Sequence, residues 1–163
     1  TVICALERAD LDIEVVEQPV AAADLEGLAW VRERVRLPIL ADESVWNESE
    51  LARCIRLGAA DAVNVKLAKC AGPLAAVRML RQAREAGLGT MVGSMMESSL
   101  GVAAAAAVVL AAGGTTLVPD LDAAWWIASS PYAGELSYAG GLLRLPAGPG
   151  LGLTLAEPGT ADG

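Results

Sequence analysis

The 163-residue chain contains no histidine. Without an imidazole it has no Ser–His–Asp triad, no Cys–His dyad and none of the histidine-ligated zinc chemistry. Cysteine is scarce as well: Cys4, Cys54 and Cys70 are widely spaced, odd in number and form no Cys-x-x-Cys pair. Such a set predicts inert, buried, reduced thiols in a cytoplasmic compartment rather than a disulfide framework. Positive charge is in deficit. Twelve Lys and Arg against 20 Asp and Glu leave a formal net charge of −8, with no long basic run. Neither nucleic acid nor an anionic membrane is an expected partner. The first residues lack a basic-then-apolar leader pattern. The most apolar run, Leu100 to Ala112, is shorter than a bilayer crossing and stops at Gly113-Gly114, which predicts a buried helix. No glycine-rich phosphate loop follows the first strand-like run, so the dinucleotide-binding fingerprint is missing.

What is present is a globular composition, 54% hydrophobic, at a length that allows one domain with a sizeable core. Thr1 to Ala9 reads as the tail of a helix. Ile13 to Glu17 reads as a strand, stopped by Pro19, which has no N–H for a ladder. Asp24 caps a predicted helix with Leu25, Leu28, Val31 and Val35 on one face. Pro38 opens a strand over Ile39 to Asp42, and Asn47 with Glu50 has capping-box spacing before a helix that Gly58 ends. Ala62 to Lys66 is the third strand; Pro73 starts a helix that runs to Gly87. Gly89 to Gly93 is the fourth strand, an alanine-rich helix spans about Ser99 to Ala112, and Leu117 to Asp120 is the last strand. Beyond Trp125-Trp126, two short runs flank Ala139-Gly140-Gly141 as a hairpin. Pro146, Gly148, Pro149, Gly150 and Gly152 break regular structure, and Ala156 to Gly163 reads as a loose tail.

The spacing is the informative part. Glu17 to Asp42 is 25 positions and Asp42 to Lys66 is 24, with the ends near Ser94 and Asp120 continuing a similar period. Repeated strand–loop–helix units at this interval predict an α/β fold with parallel strands, buried on both faces. About five such units fit the C-terminal part of a (β/α)8 barrel, which needs eight strands and roughly 250 residues when complete. A small doubly wound domain is the alternative. The expected division is a partial barrel over residues 1–127, its strands 4 to 8, and a hairpin and tail over 128–163.

In a parallel barrel, chemistry gathers at the C-terminal strand ends. Glu17, Asp42, Lys66 and Asp120 all fall there, and alternation pairs Val15 with Glu17, Leu40 with Asp42 and Asn64 with Lys66 on shared faces. Carboxylates on adjacent strands repel unless a cation lies between them, and oxygen ligands suit a hard divalent ion such as Mg²⁺. A lysine beside that ion suits proton abstraction α to a carboxylate. Plainer readings stand beside these. Asp42 alone would serve as a helix N-cap, Glu43 as a solvated charge, Lys69 as a loop or helix-start charge, and Asp120 with Asp122 as caps of the following helix. Met95 and Met96 read as pocket or core filler.

Glu17-Gln18-Pro19, Ala41-Asp42-Glu43-Ser44, Asn64-Val65-Lys66-Leu67-Ala68-Lys69 and Met91 to Glu97 resemble, in order and spacing, consecutive barrel motifs of the muconate-lactonizing subgroup of the enolase superfamily. Asp120-Leu121-Asp122, the glycine-rich hairpin and Pro149 to Gly152 are most similar to its dipeptide epimerases. The resemblance, covering residues 11 to 153 or so, implies Mg²⁺-dependent epimerisation of a dipeptide, with Lys66 as acid/base and Glu17 and Asp42 as metal ligands. It implies that Asp120 and Asp122 hold the dipeptide's ammonium, and that Glu97, Ser94 and Met95 border the substrate carboxylate. The family's second-strand Lys-x-Lys, its third-strand aspartate and its capping domain have no counterpart in this sequence. One base is therefore expected where two are needed, and Trp125 and Trp126 are expected to pack toward the capping domain, as is the hairpin. Asp122 is followed by Ala123-Ala124-Trp125 rather than an early proline, a departure in the pocket for the side chain. A cycloisomerase or o-succinylbenzoate synthase is the alternative within the superfamily. A non-catalytic chain that assembles with another copy or chain through open barrel edges is the alternative outside it.

Overall fold

The computed structural model describes residues 2–9, 11–134 and 136–156. A first helix, α1 (Val2–Arg8), precedes four βα units. These are β1 (Val16–Glu17) with α2 (Leu25–Arg32), β2 (Ile39–Ala41) with α3 (Glu48–Leu57), β3 (Ala62–Lys66) with α4 (Pro73–Glu85), and β4 (Gly89–Gly93) with α5 (Ser99–Ala111). The strands pair in parallel in the order β1-β2-β3-β4. Sequential strand order in a parallel sheet is what successive units of a (β/α)8 barrel produce.

The apolar runs explain the core. Every residue of β2 is buried, as are the first four of β3. Leu28, Leu51 and Leu80 from the helices cover Ile39, Val63 and Val65, all essentially inaccessible. Helix starts follow the caps. Asp24 Oδ1 accepts from Gly27 N at 2.8 Å, and Asn47 Oδ1 accepts from Ser49 N and Glu50 N, both at 3.0 Å. Glu50 closes back on Trp46 N, one residue before the position a capping box prescribes. Gly58, at φ 58°, takes the left-handed conformation that ends α3.

Four expectations change. The first strand is two residues rather than five, because β1 pairs with β2 alone. The last strand is reduced to a single bridge, Gly93 to Asp120. Leu117 N reaches Thr90 O and Asp120 N reaches Val92 O, both at 3.0 Å, so an extra residue is taken up where Pro119 has no N–H to offer. Helix α5 is covered on one side only, leaving Leu110 71% exposed. Cys54 and Cys70 are buried, but Cys4 is only half-buried. Among the described residues, no helix is long and apolar enough to cross a membrane.

After a 3₁₀ turn (Ala123–Trp126) come β5 (Tyr132–Ala133), β6 (Ser137–Ala139), β7 (Leu142–Arg144) and β8 (Thr154–Leu155). β6 and β7 form the predicted hairpin. Gly140 and Gly141 turn it at φ 57° and 76°, the pair of positive values a tight hairpin requires. The ladder of β5 with β8 was not legible in the sequence; it closes the irregular 146–152 segment. The expected tail beyond Ala156 lies outside the described residues.

Candidate active site

Parallel strands bring their C-terminal ends to one rim. Glu17 ends β1, Asp42 follows β2 directly, Lys66 ends β3, and Gly93 ends β4 in register with both Lys66 and Asp120. A cavity of about 590 Å³ opens there, lined by Glu17, Gln18, Asp42, Glu43 and Lys66 among others.

Asp42 is the centre of the arrangement. Its side chain is only 6% exposed, and its two oxygens are divided between two lysines: Lys66 Nζ donates to Oδ2 at 2.7 Å and Lys69 Nζ donates to Oδ1. Burial raises the Asp42 carboxyl, but the hydrogen bonds from Lys66 and then Lys69 outweigh it and hold the group below the ordinary aspartate range. Burial likewise pulls Lys66 down, but the bond to Asp42 and the charges of Asp42, Glu17 and Asp120 carry it above the usual lysine value. Asp42 caps no helix; α3 is capped by Asn47.

Lys69 lies in the turn between β3 and α4, as a loop charge would, but its side chain is buried. The backbone N–H groups of Lys69 and Cys70 both donate to Lys66 O, turning the chain back over the strand ends. The Lys69 side chain, 3% exposed, is thereby laid under the rim. Its burial draws the ammonium below the usual lysine range, opposed by the bond to Asp42.

Two amide side chains brace the rim, one on the backbone beside Asp42 and one on the Glu17 carboxylate. Gln18, in the left-handed region at φ 39°, accepts from Asp42 N at 2.9 Å and Ser44 N at 3.2 Å, and donates to Ser44 Oγ at 2.8 Å and Val20 O at 3.2 Å. That strained backbone places one amide across the ends of β1 and β2. Asn64 is fully buried and donates from Nδ2 to Glu17 Oε1 at 2.9 Å; its Oδ1 has no partner among the described residues. Gly93 leaves room for this. A Cβ there would lie 2.7 Å from Asn64 Oδ1 and 2.9 Å from Lys66 Cε.

The substrate candidates are less tightly gathered. Burial and the neighbouring Asp122 push the Asp120 carboxyl up, although its exposed position lets solvent screen much of that repulsion. Asp122 offers no side-chain cap to the 3₁₀ turn; it accepts from Trp126 Nε1 at 2.8 Å. Ser94 is tied to Asp120 O through N at 2.9 Å and Oγ at 3.2 Å. Glu97 accepts from Met95 N at 3.0 Å, and Met95 and Met96 are exposed rather than core filler. Ser94, Met95 and Glu97 are not part of the cavity wall around Asp42. A second cavity of about 730 Å³ runs between α5, the Asp120–Trp126 segment and the hairpin. Trp125 and Trp126 border it, both more than half exposed, with Trp125 edge-on to Tyr138 at 5.6 Å between centroids.

The donor set at the rim is oxygen only, which fits a hard divalent cation in kind. It falls short in number: among the described residues, no three His, Cys, Asp or Glu side chains gather closely enough to hold a metal. Glu17, Asp42 and Glu43 are the carboxylates that line the cavity, and of these Glu17 and Asp42 stand at the ends of adjacent strands.

The fold and rim define an α/β protein with a lysine and carboxylates at the C-terminal mouth of parallel barrel strands. The chain belongs to the enolase C-terminal domain-like family, whose model matches residues 1–158. It is 37% identical over 153 residues to the L-Ala-D/L-Glu epimerase of Bacillus subtilis, covering 94% of this chain and 42% of that protein. It is 36% identical to the N-succinyl-L-Arg/Lys racemase of Bacillus cereus, covering 90% and 39%. A dipeptide epimerase of Enterococcus faecalis, crystallised with Mg and the dipeptide L-Leu-L-Tyr, superposes with a TM-score of 0.86 at 37% identity, covering 93% of this chain and 44% of that one. The substrate-liganded B. subtilis epimerase superposes at 0.85, with 38% identity and coverage of 93% and 42%. The chain spans about two-fifths of the length of these relatives, matching the C-terminal part of their barrels.

Asn64 is legible in the sequence as an inward residue on the Lys66 face and Gln18 stands within a motif, but their partners lie on other strands and leave no local signal. Lys69 carried no such signal, because turn residues have no periodicity from which to read direction.

Proposed function

We propose that this chain forms the lysine-bearing face of an epimerase that acts on the carbon α to a dipeptide carboxylate. The observation that carries this is the Lys66–Asp42 contact at 2.7 Å on a cavity that also holds Glu17. Lys66, as the neutral amine, takes the α-proton from one face of the substrate carbon, and as the ammonium it delivers a proton to that same face when the opposite epimer is the substrate. Glu17 and Asp42 are the residues that would hold Mg²⁺. When bound, the ion would supply fixed positive charge against the negative charge that builds up on the substrate carboxylate. Asp120 and Asp122 hold the ammonium of the amino-terminal residue, a partner that would offset the burial and the neighbouring Asp122 charge that raise Asp120.

Epimerisation needs a second base on the opposite face. Lys69 does not fill that place, since its ammonium is buried against Asp42 and backbone oxygens. The second base and a third metal ligand come from outside the described residues, and the isolated chain is expected to be inactive. The test is exchange of the α-proton of L-Ala-L-Glu in D₂O, followed by ¹H NMR with the whole protein and Mg²⁺. Exchange that is lost on Lys66→Met supports the reading; no exchange with any dipeptide overturns it.

A cycloisomerase is the competing enzyme reading, since a muconate lactonizing enzyme of Pseudomonas putida superposes at a TM-score of 0.80 with 32% identity, covering 88% of this chain and 40% of that one. The Asp120–Asp122 pair favours an ammonium-bearing substrate instead. A second, non-catalytic reading draws on the open edge of β1 and the exposed Leu110, Trp125 and Trp126: the chain associates through these surfaces. Light scattering on the purified chain decides it, a monomer at high concentration counting against association.

A further inference from the structure

We propose that Lys69 is a positioning residue: it commits one oxygen of Asp42 to a buried salt bond and so aims the other into the cavity. The proposal deepens the reading of Asp42 as a ligand of the site and rests on that reading for its catalytic meaning.

Two lysines three positions apart contact the same carboxylate in different ways. Lys69 has three N–H donors, and three oxygens receive them: Asp42 Oδ1, Asp42 O at 2.7 Å and Asn64 O at 3.2 Å. No donor is left for a ligand, and the ammonium lies away from the cavity wall. The contacts join the end of β2 to β3, so the clamp fixes the Asp42 backbone as well as its side chain. Rotating the carboxylate away would strand a buried cation with no water to replace the lost bond, and that penalty holds the rotamer.

Lys66 is held more loosely. Among the described residues its side chain makes one hydrogen bond, to Asp42 Oδ2, and it lines the cavity. Its ammonium is therefore the exchangeable one. Were Asp42 to hold a cation, Oδ2 is the oxygen that would face it and the Lys66 bond the one that would give way, with Lys69 remaining on Oδ1. One carboxylate thus has a fixed oxygen and a working oxygen.

The test compares Lys69→Met, Lys69→Gln and Lys66→Met in the full chain. Crystal structures without metal decide the claim. In Lys69→Met the Asp42 carboxylate is expected to leave its present rotamer and lose Lys66; an unmoved Asp42 overturns the proposal. Should Lys69→Met fail to fold, Lys69→Gln is read instead: Asp42 is expected to keep its rotamer only where the introduced amide donates to Oδ1, and an unmoved Asp42 without that bond overturns the proposal. Mn²⁺ titration followed by electron paramagnetic resonance supplies a readout that a purely structural role would not separate. Lys69→Met is expected to weaken Mn²⁺ binding by about tenfold or more, and Lys66→Met to leave it equal or tighter. Equal losses in the two variants overturn the division of labour. If the whole protein, third ligand included, binds no Mn²⁺, the ligand reading of Asp42 falls, while the crystal structures still decide whether Lys69 positions it.

Discussion

Gly93→Ala adds one methyl group where the site has no room for it. The new Cβ would meet Asn64 Oδ1 at 2.7 Å, Asn64 Nδ2 at 2.9 Å and Lys66 Cε at 2.9 Å. Carbon contacts are ordinarily near 3.5–4 Å, so something has to move. Asn64 is completely buried and cannot swing outward. If it yields, its bond to Glu17 breaks and a second amide atom joins Oδ1 without a partner. If Lys66 yields, its bond to Asp42 breaks. Overpacking costs about 1–3 kcal/mol, and a buried polar group left unpaired costs about 1–3 kcal/mol more. The expected loss is roughly 2–6 kcal/mol, a fall in melting temperature of roughly 5–20 °C for a chain of this size. Gly89→Ala is the control. Its Cβ meets Ala62 Cβ at 3.1 Å, at the start of the same strand and away from the rim. That contact is tight but needs only a few tenths of an ångström of relief, and the alanine stiffens the unfolded chain. Urea denaturation of both variants measures the difference. The reasoning fails if Gly93→Ala unfolds within about 0.5 kcal/mol of the control, or if a structure of it retains both the Asn64–Glu17 and the Lys66–Asp42 bonds.

Asp42→Asn leaves Lys69, and behind it Lys66, facing a neutral amide in a buried setting, and is expected to cost about 3–5 kcal/mol in urea unfolding. The folded Asp42 pKa is depressed, so this contribution is present above the ordinary value near 4 and is lost as pH falls through the lower folded value; the two proteins should converge at that acid end. Asp120 has the opposite sign. Its folded pKa is raised, so the ionised form is disfavoured at neutral pH, and Asp120→Asn should stabilise the chain by less than about 1 kcal/mol at pH 7, with the gain vanishing below about pH 4 in the same denaturation assay. Cys54 is fully buried, with a thiol pushed up to about 11, so it should resist a thiol-exchange reagent at pH 8 in the native chain and react once urea unfolds it.

The order of strands and helices was readable because its causes are local. Caps at Asp24 and Asn47, Pro73 at a helix start, Gly58 at a helix end and a strand period near 25 residues all act within a few residues or repeat along the chain. That order placed Glu17, Asp42, Lys66 and Asp120 on one rim without coordinates, since parallel strands of similar spacing end together. The partners of those groups were not readable. Lys66 meets Asp42 across 24 positions, Asn64 meets Glu17 across 47, and Gly93 is small because side chains from β3 fill the place of its Cβ. The clearest case is Lys69. Three positions after Lys66 it is one more charge in a polar turn, and only packing of that turn over the strand ends makes it a buried clamp on Asp42. Periodicity tells which way a strand residue points, but a turn has no period, so the direction of its side chains is decided by what the assembled sheet leaves open beneath it.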